Sequence, residues 1–293
     1  MNSNISYAFF GTGALAESVL ASLVRNEYIP KLIVTKPDRP QGRNMELTSP
    51  HIKVWADMKG ITTFQPESLK DLPPDSPLHT ETFDIFIVAS YGKIIPEHIL
   101  NLATHGTLNI HPSLLPKYRG PSPIESTLLD GAITTGVTIM KLDKEMDHGP
   151  ILVQNAFAID TEATAGTLEV TCGQIGGELL SQVLPLYLNG SLIPKEQDHS
   201  KATVCKKIDK SLGEITLRDR AEDIRRKFRA LTPWPSVYFF HIHSGKSIRV
   251  KVTGVNLARL LPFDAQANEV ITSVIPEGKK EMDWESFRHG YMS

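Results

Sequence analysis

Ser6-Tyr-Ala-Phe-Phe10-Gly11-Thr-Gly13-Ala-Leu-Ala16-Glu-Ser-Val-Leu20-Ala-Ser-Leu-Val24 decides the architecture of the first part of the chain. Ser6–Phe10 is an apolar run of strand length that ends at a glycine turn, and Leu15, Val19, Leu20 and Leu23 then recur at helical spacing. With a second apolar run at Leu32–Val34, the order strand, glycine turn, helix, strand is a βαβ opening, which calls for a parallel sheet covered by helices. Gly11-x-Gly13-x-x-Ala16 imitates the dinucleotide fingerprint. Taken alone it establishes a tight strand-to-helix turn, not a nicotinamide cofactor.

Working outward, Phe83–Ala89 is a nearly continuous apolar strand of the kind buried on both faces. Thr107–Ile110 and Val137–Leu142 follow as strands, and Ile151–Ile159 pairs back antiparallel. Helices are expected at His51–Met58, from Pro96 to about Leu102, at Pro121–Leu129 and at Thr164–Leu188, the last with Leu168, Cys172, Ile175, Leu179, Val183 and Leu186 on one face. Lys36–Pro50 is too rich in Pro, Gly and polar residues for a regular element, and its cations Lys36, Arg39 and Arg43 suit either phosphate or solvent. Asn189–Ala202 has no periodicity and reads as a linker. Beyond it, Ala221–Leu231 forms an amphipathic helix with Ile224, Phe228 and Leu231 on one face. Val237–Ile242, Ile248–Val255 and Glu269–Ile275 are strand candidates, and a helix with several strands in so short a span suits a small, partly open β-barrel.

Composition places the 293 residues among ordinary soluble globular chains, at 41% hydrophobic and 22% charged. Charge is unevenly spread: residues 1–205 carry 15 Lys/Arg against 22 Asp/Glu, a net of −7, and residues 206–293 carry 16 against 11, a net of +5. A basic C-terminal part on an acidic body points to a polyanionic partner, the plain alternative being a solvated charged surface. Two cysteines, Cys172 and Cys205, without a CxxC pair, argue against a disulfide framework or a zinc site. Neither a signal peptide nor a membrane-spanning apolar run is seen, so a cytoplasmic protein is expected.

The chemistry gathers in Thr107-Leu-Asn109-Ile-His111-Pro-Ser113-Leu-Leu-Pro116-Lys-Tyr118-Arg119-Gly120. Residues two apart on a strand share a face, so Asn109 and His111 point together. Pro112 ends the strand, and open α/β sheets place ligands at such carboxyl ends. Asn109 supplies an N–H donor for an oxyanion and His111 a group that moves a proton near neutral pH. A carboxylate to orient the imidazole is expected from the turn after Val137–Leu142. On residue type alone Asp143, Glu145 and Asp147 all qualify. For an isolated Asn-x-His, a buried amide and a hydrogen-bonded imidazole would suffice.

The Asn109…His111…Asp147 set and the Ser113-Leu-Leu-Pro-x-Tyr-Arg-Gly120 loop closely resemble the folate-dependent formyltransferases. The resemblance implies a Rossmann-like α/β catalytic domain over residues 1–189, a linker over 190–205, and an oligonucleotide-binding-like β-barrel over 206–293. It implies 10-formyltetrahydrofolate as co-substrate, no metal, and Asn109, His111 and Asp147 as the catalytic set; the segment Thr135–Pro150 singles out Asp147. Ser113, Leu114, Leu115 and Pro116 would line the folate site, with Ser90, Tyr91 and Gly92 meeting the pterin through backbone groups. Pro37-Asp-Arg-Pro-x-Gly-Arg43, Lys201–Ile215, Thr232-Pro-Trp-Pro235 and Pro276-Glu-Gly-Lys-Lys280-x-Met282 look most like the branch acting on methionyl-initiator tRNA. That branch implies Arg39, Arg43, Lys206 and Lys207 as tRNA-binding residues and a monomer. Departures are Asn44-Met45-Glu46 in place of a Lys pair, Glu125-Ser126 in place of Gln-Trp, and His148 in place of a small polar residue.

A formyltransferase acting on UDP-amino sugars would share the catalytic set and bind a nucleotide sugar instead. A catalytically silent binding protein would need a defect in that set, and none is present. A dehydrogenase rests on Gly11-x-Gly13 alone and leaves Asn109 and His111 unexplained.

Overall fold

Tyr7–Gly11 (β1), Ala14–Arg25 (α1) and Leu32–Val34 (β2) form the opening βαβ unit of the computed structural model, which describes residues 5–41, 45–258, 262 and 264–292. Residues 1–121, 135–157 and 169–205 make one compact unit; residues 122–134, 158–168 and 206–293 make a second. Residues 122–134 and 158–168 therefore cluster with the C-terminal part, and the segment read as a linker, residues 190–205, belongs to the first unit. Ile151 exchanges backbone hydrogen bonds with Lys195, and Arg119 bridges to Val204.

After β2 the stretch read as irregular contains a small antiparallel ribbon, Arg39–Gln41 (β3) with Glu46–Thr48 (β4), in the register Arg39↔Thr48 and Pro40↔Leu47. A two-stranded ribbon tolerates Pro40 because one edge of each strand needs no partner. His51–Lys59 (α2), Thr63–Phe64 (β5), Pro77–Thr80 (α3), Ile85–Ala89 (β6), Glu97–Leu100 (α4) and Thr107–His111 (β7) follow. Pro123–Leu129 (α5), Thr134–Lys141 (β8), Ile151–Ala158 (β9) and Ala165–Leu188 (α6) come next.

The main sheet has the order β5-β2-β1-β6-β7-β8-β9. Pairing is parallel from β5 to β7 and turns antiparallel between β7 and β8. On one face Ala8, Phe10, Val34, Phe86 and Val88 form a core with Leu78 of α3 and Ile99 of α4. Val88 is level with Asn109, so Asn109 and His111 lie on this face at the sheet's carboxyl edge.

Ile110 points the other way, against α6. The buried ridge of α6 runs through Cys172, Gly173, Gly176, Gly177, Leu180 and Leu184. Ile175, Leu179 and Val183 are only half-buried and Leu186 is exposed, so the face expected from apolar spacing is displaced. The reason is close approach. A Cβ at Gly173 would lie 2.7 Å from Leu15 O, one at Gly177 2.7 Å from Val19 O, and one at Gly176 2.6 Å from Ile110 Cγ2. Glycines carry no apolar signal, yet here they are the contact.

Gly177→Ala is therefore expected to destabilise the protein. Overpacking against a backbone oxygen costs roughly 1–3 kcal/mol, more than the ~1 kcal/mol by which alanine favours a helix interior. Thermal denaturation should show a lower melting temperature; an increase would contradict this packing.

The second unit holds Ala221–Leu231 (α7), an antiparallel sheet of Val237–His243 (β10), Lys246–Val255 (β11), Ile271–Pro276 (β12) and Met282–Asp283 (β13), and Trp284–Tyr291 (α8). Phe239, Trp284 and Phe287 pack ring against ring in its core. Helix α8 has no counterpart in the sequence reading; Asp283 caps it, accepting from Ser286 N at 2.8 Å. The cations of α7 are largely structural. Arg225 donates to Asn256 O, Lys227 to Glu214 O, and Arg229 to Ala163 O and Asp160 O.

Candidate active site

Strand β7 delivers Asn109 and His111, and the turn after β8 delivers Asp147. These three side chains meet at one oxygen. Asp147 Oδ1 lies 3.5 Å from Asn109 Nδ2 and 3.6 Å from His111 Nδ1. The other carboxylate oxygen, Oδ2, accepts the Gly120 N–H at 2.7 Å. His111 Nε2 is 2.9 Å from Tyr118 O. A carbonyl only accepts, so Nε2 carries a proton and Nδ1 is the nitrogen free to take up or release one. The imidazole is thus held by Tyr118 O, while Asp147 sits just beyond hydrogen-bond range at the working nitrogen.

Asn109, His111 and Asp147 are 8%, 4% and 9% exposed, and in so dry a setting charges and dipoles interact strongly. Ser90, Tyr118 and Asp147 all have positive φ, at 49°, 58° and 51°. Backbone strain of this kind gathers at functional sites. Of the other carboxylates in the turn, Asp143 is committed to His148 Nδ1 at 2.8 Å and Glu145 is exposed. His148 stacks on His199 with ring centres 4.1 Å apart. Ser113 Oγ donates to Lys117 O at 2.7 Å, which ties it to the loop and leaves it no role as a nucleophile. An imidazole nitrogen free to take a proton, a carboxylate oxygen facing it at 3.6 Å and an amide N–H alongside are equipment for acyl transfer.

At the N-terminus of α1 the Leu15 N–H is directed to Glu169 Oε1 at 3.3 Å. Burial pushes the Glu169 carboxyl above its usual range, and the Leu15 bond pulls it partly back. A pyrophosphate would need that same helix end. A carboxylate already holds it, so the glycine turn serves the fold here.

The family model described as formyl transferase matches residues 4–184, and that of the formyl transferase C-terminal domain matches residues 207–260. The chain belongs to the formyl transferase family. Among its relatives, a protein of Chloroflexus aggregans named methionyl-tRNA formyltransferase is 41% identical, covering 88% of this chain and 82% of the relative. One of Lachnospira eligens with the same name is 32% identical over 96% and 95%. The structure of HypX from Aquifex aeolicus in complex with tetrahydrofolic acid shares the fold, with a TM-score of 0.66 at 15% identity, over 98% of this chain and 47% of that one.

In this formyl transferase the residues that the motif implies for folate lie on one edge of the first unit. Loop Ser90–Gly92 leaves β6 level with His111, with Ser90 and Gly92 exposed. The Tyr91 ring is buried against Phe10, so this loop offers backbone and not a phenol. Leu114 and Pro116 are half-buried and Leu115 is buried. Arg39 is exposed and pairs with Glu67 at 2.5 Å, a surface bridge weak enough for phosphate to displace. Lys206 and Lys207 are exposed in the second unit, and Arg43 lies outside the described residues. No group of His, Cys, Asp and Glu able to hold a metal occurs among the described residues, and no helix there is long and apolar enough to cross a membrane.

Sequence reasoning missed Gly120 and Gln197. Gly120 has φ +112°, and a Cβ there would lie 2.7 Å from Cys205 O. Its motif was visible, but its hydrogen bond to Asp147 was not.

Proposed function

We propose that this chain transfers a formyl group from 10-formyltetrahydrofolate to the amino group of methionyl-initiator tRNA, as a cytoplasmic monomer. The convergence of Asn109 and His111 on Asp147 Oδ1 carries the chemical part of this reading. The names of the relatives support the acceptor. The exposed backbone at Ser90 and Gly92, with Leu114 and Pro116 near the strand ends, suits a flat heterocycle with polar edges. The folate supplies the formyl carbon and leaves from it through its N10.

The residues of the chain then have these roles. Asn109 Nδ2 donates to the formyl oxygen as the amine adds and that oxygen becomes negative. His111 Nδ1, facing Asp147 Oδ1, accepts the proton that the attacking amine sheds. The Asp147 charge stabilises the imidazolium so formed. When the tetrahedral carbon collapses, His111 returns the proton to departing N10, so protons balance and no covalent enzyme intermediate is needed. Gly120 holds Oδ2 throughout, and the second unit, with Arg39 and Arg43, serves the tRNA.

The test is formyl transfer from 10-formyltetrahydrofolate to methionyl-initiator tRNA, with a UDP-4-amino sugar as a parallel acceptor. Formylated tRNA and unchanged sugar are expected; transfer to the sugar alone would overturn the acceptor and leave the chemistry. In the same assay Arg43→Ala raises KM for tRNA and flattens the dependence of log affinity on log salt by about one phosphate contact. An unchanged slope would return Arg43 to a solvated loop.

A further inference from the structure

Asp147 adopts a left-handed backbone, and its carboxylate reaches Asn109 and His111 only while that turn is held. Two groups hold it. Gly120 N–H takes Oδ2 from the side-chain end. From the main-chain end, Gln197 Nε2 donates to Asp147 O at 3.0 Å and to Gly149 O at 2.7 Å. The same side chain accepts, through Oε1, from Arg119 Nε at 3.1 Å and Arg119 Nη2 at 2.6 Å. Both N–H groups and both acceptor sites of the amide are thereby used. Gln197 is 5% exposed and Arg119 is 9% exposed, so the chain of bonds runs in a dry interior. Arg119 Nη2 also lies 2.9 Å from His199 Nδ1, and His199 stacks on His148, next to Asp147. Arg119 and Gly120 are consecutive. One dipeptide therefore steadies Asp147 twice, directly through Gly120 and indirectly through Gln197.

We propose that Gln197 is the positioning residue for Asp147: bridging Arg119 to the carbonyls of Asp147 and Gly149, it sets the turn so that Oδ1 faces Asn109 and His111. The proposal rests on the role given to Asp147 above. Only an amide of this length does the work. Asparagine is one methylene short, and glutamate keeps the Arg119 pair but sets oxygen against two carbonyl oxygens. Gln197→Glu is therefore a selective probe, because it spares the buried guanidinium and removes only the donors to the turn.

Steady-state and single-turnover rates are compared for the wild type, Gln197→Glu, Asp147→Asn and the double variant, with melting temperature as a control for folding. Gln197→Glu is expected to lower kcat about 10²-fold, the scale of a sub-ångström to ångström misplacement, with KM for folate and for tRNA within about twofold. In the Asp147→Asn background the same change is expected to cost less than about threefold, since groups acting as a unit are not additive. A purely structural role predicts equal factors in both backgrounds, and equal factors would overturn the proposal, as would a folded Gln197→Glu with wild-type kcat. If Gln197→Glu does not fold, Arg119→Lys replaces it: it keeps a cation but loses the fork on Oε1, and the same non-additivity is required. Full activity in Asp147→Asn alone would instead remove the role of Asp147, a different failure from additivity with Asp147→Asn crippled.

Discussion

Asp147→Asn lowers kcat about 10³- to 10⁴-fold and leaves the folate Kd within about twofold. The size follows from acyl-transfer sites in which an aspartate faces a histidine, where the amide replacement costs about 10⁴. The geometry says why it applies. Gly120 N–H at 2.7 Å requires an acceptor, so the new amide keeps its oxygen there and turns its NH₂ toward Asn109 and His111. Two donors then face each other where Asn109 Nδ2 met Oδ1, and the imidazolium formed on proton uptake has lost its counter-charge. In the proposed reading folate is held by the strand-end loops and not by this oxygen, so the loss is expected in kcat. Single-turnover formylation beside a folate titration checks both halves, and near-wild-type turnover would remove Asp147 from the mechanism.

Asn109→Ala lowers kcat about 10²- to 10³-fold, the usual cost of deleting one oxyanion donor. Asn109 is buried on β7 between Val88 and Met140, and its Nδ2 reaches Asp147 Oδ1 only at a long 3.5 Å. An amide held that loosely is available to a developing charge. The KM values for folate and tRNA change little, because the donor acts on an oxygen that becomes negative only on the way to the transition state. A loss below about tenfold in single-turnover rate would show that another group holds the oxyanion.

Much of this site was legible in the chain. Asn109 and His111 were placed on one face by the two-residue period of a strand and at a carboxyl end by Pro112. The opening βαβ unit followed from the glycine turn and the apolar runs around it. Asp147, by contrast, could not be told from Asp143 and Glu145 by residue type; it came from resemblance, and in the structure Asp143 turns to His148 while Asp147 turns to the histidine of β7. The face of α6 was misplaced because apolar counting passes over Gly173, Gly176 and Gly177. The ribbon β3–β4 escaped notice because strands of three residues carry no period. Charge counting over residues 206–293 also does not show that Arg225, Lys227 and Arg229 of α7 donate to backbone carbonyls.

Local pattern thus determined which residue types stand at the end of β7, and that a parallel sheet carries them, because strand and helix periods act over neighbours in the chain. Only the tertiary structure decided what each side chain faces. His111 is held by Tyr118 O, Asp147 by Gly120 and Gln197, and Gln197 by Arg119, across separations of up to 78 residues. Hydrogen-bond partners so distant leave no period in a sequence; they are selected when β7, the turn after β8 and residues 195–205 pack together in one unit.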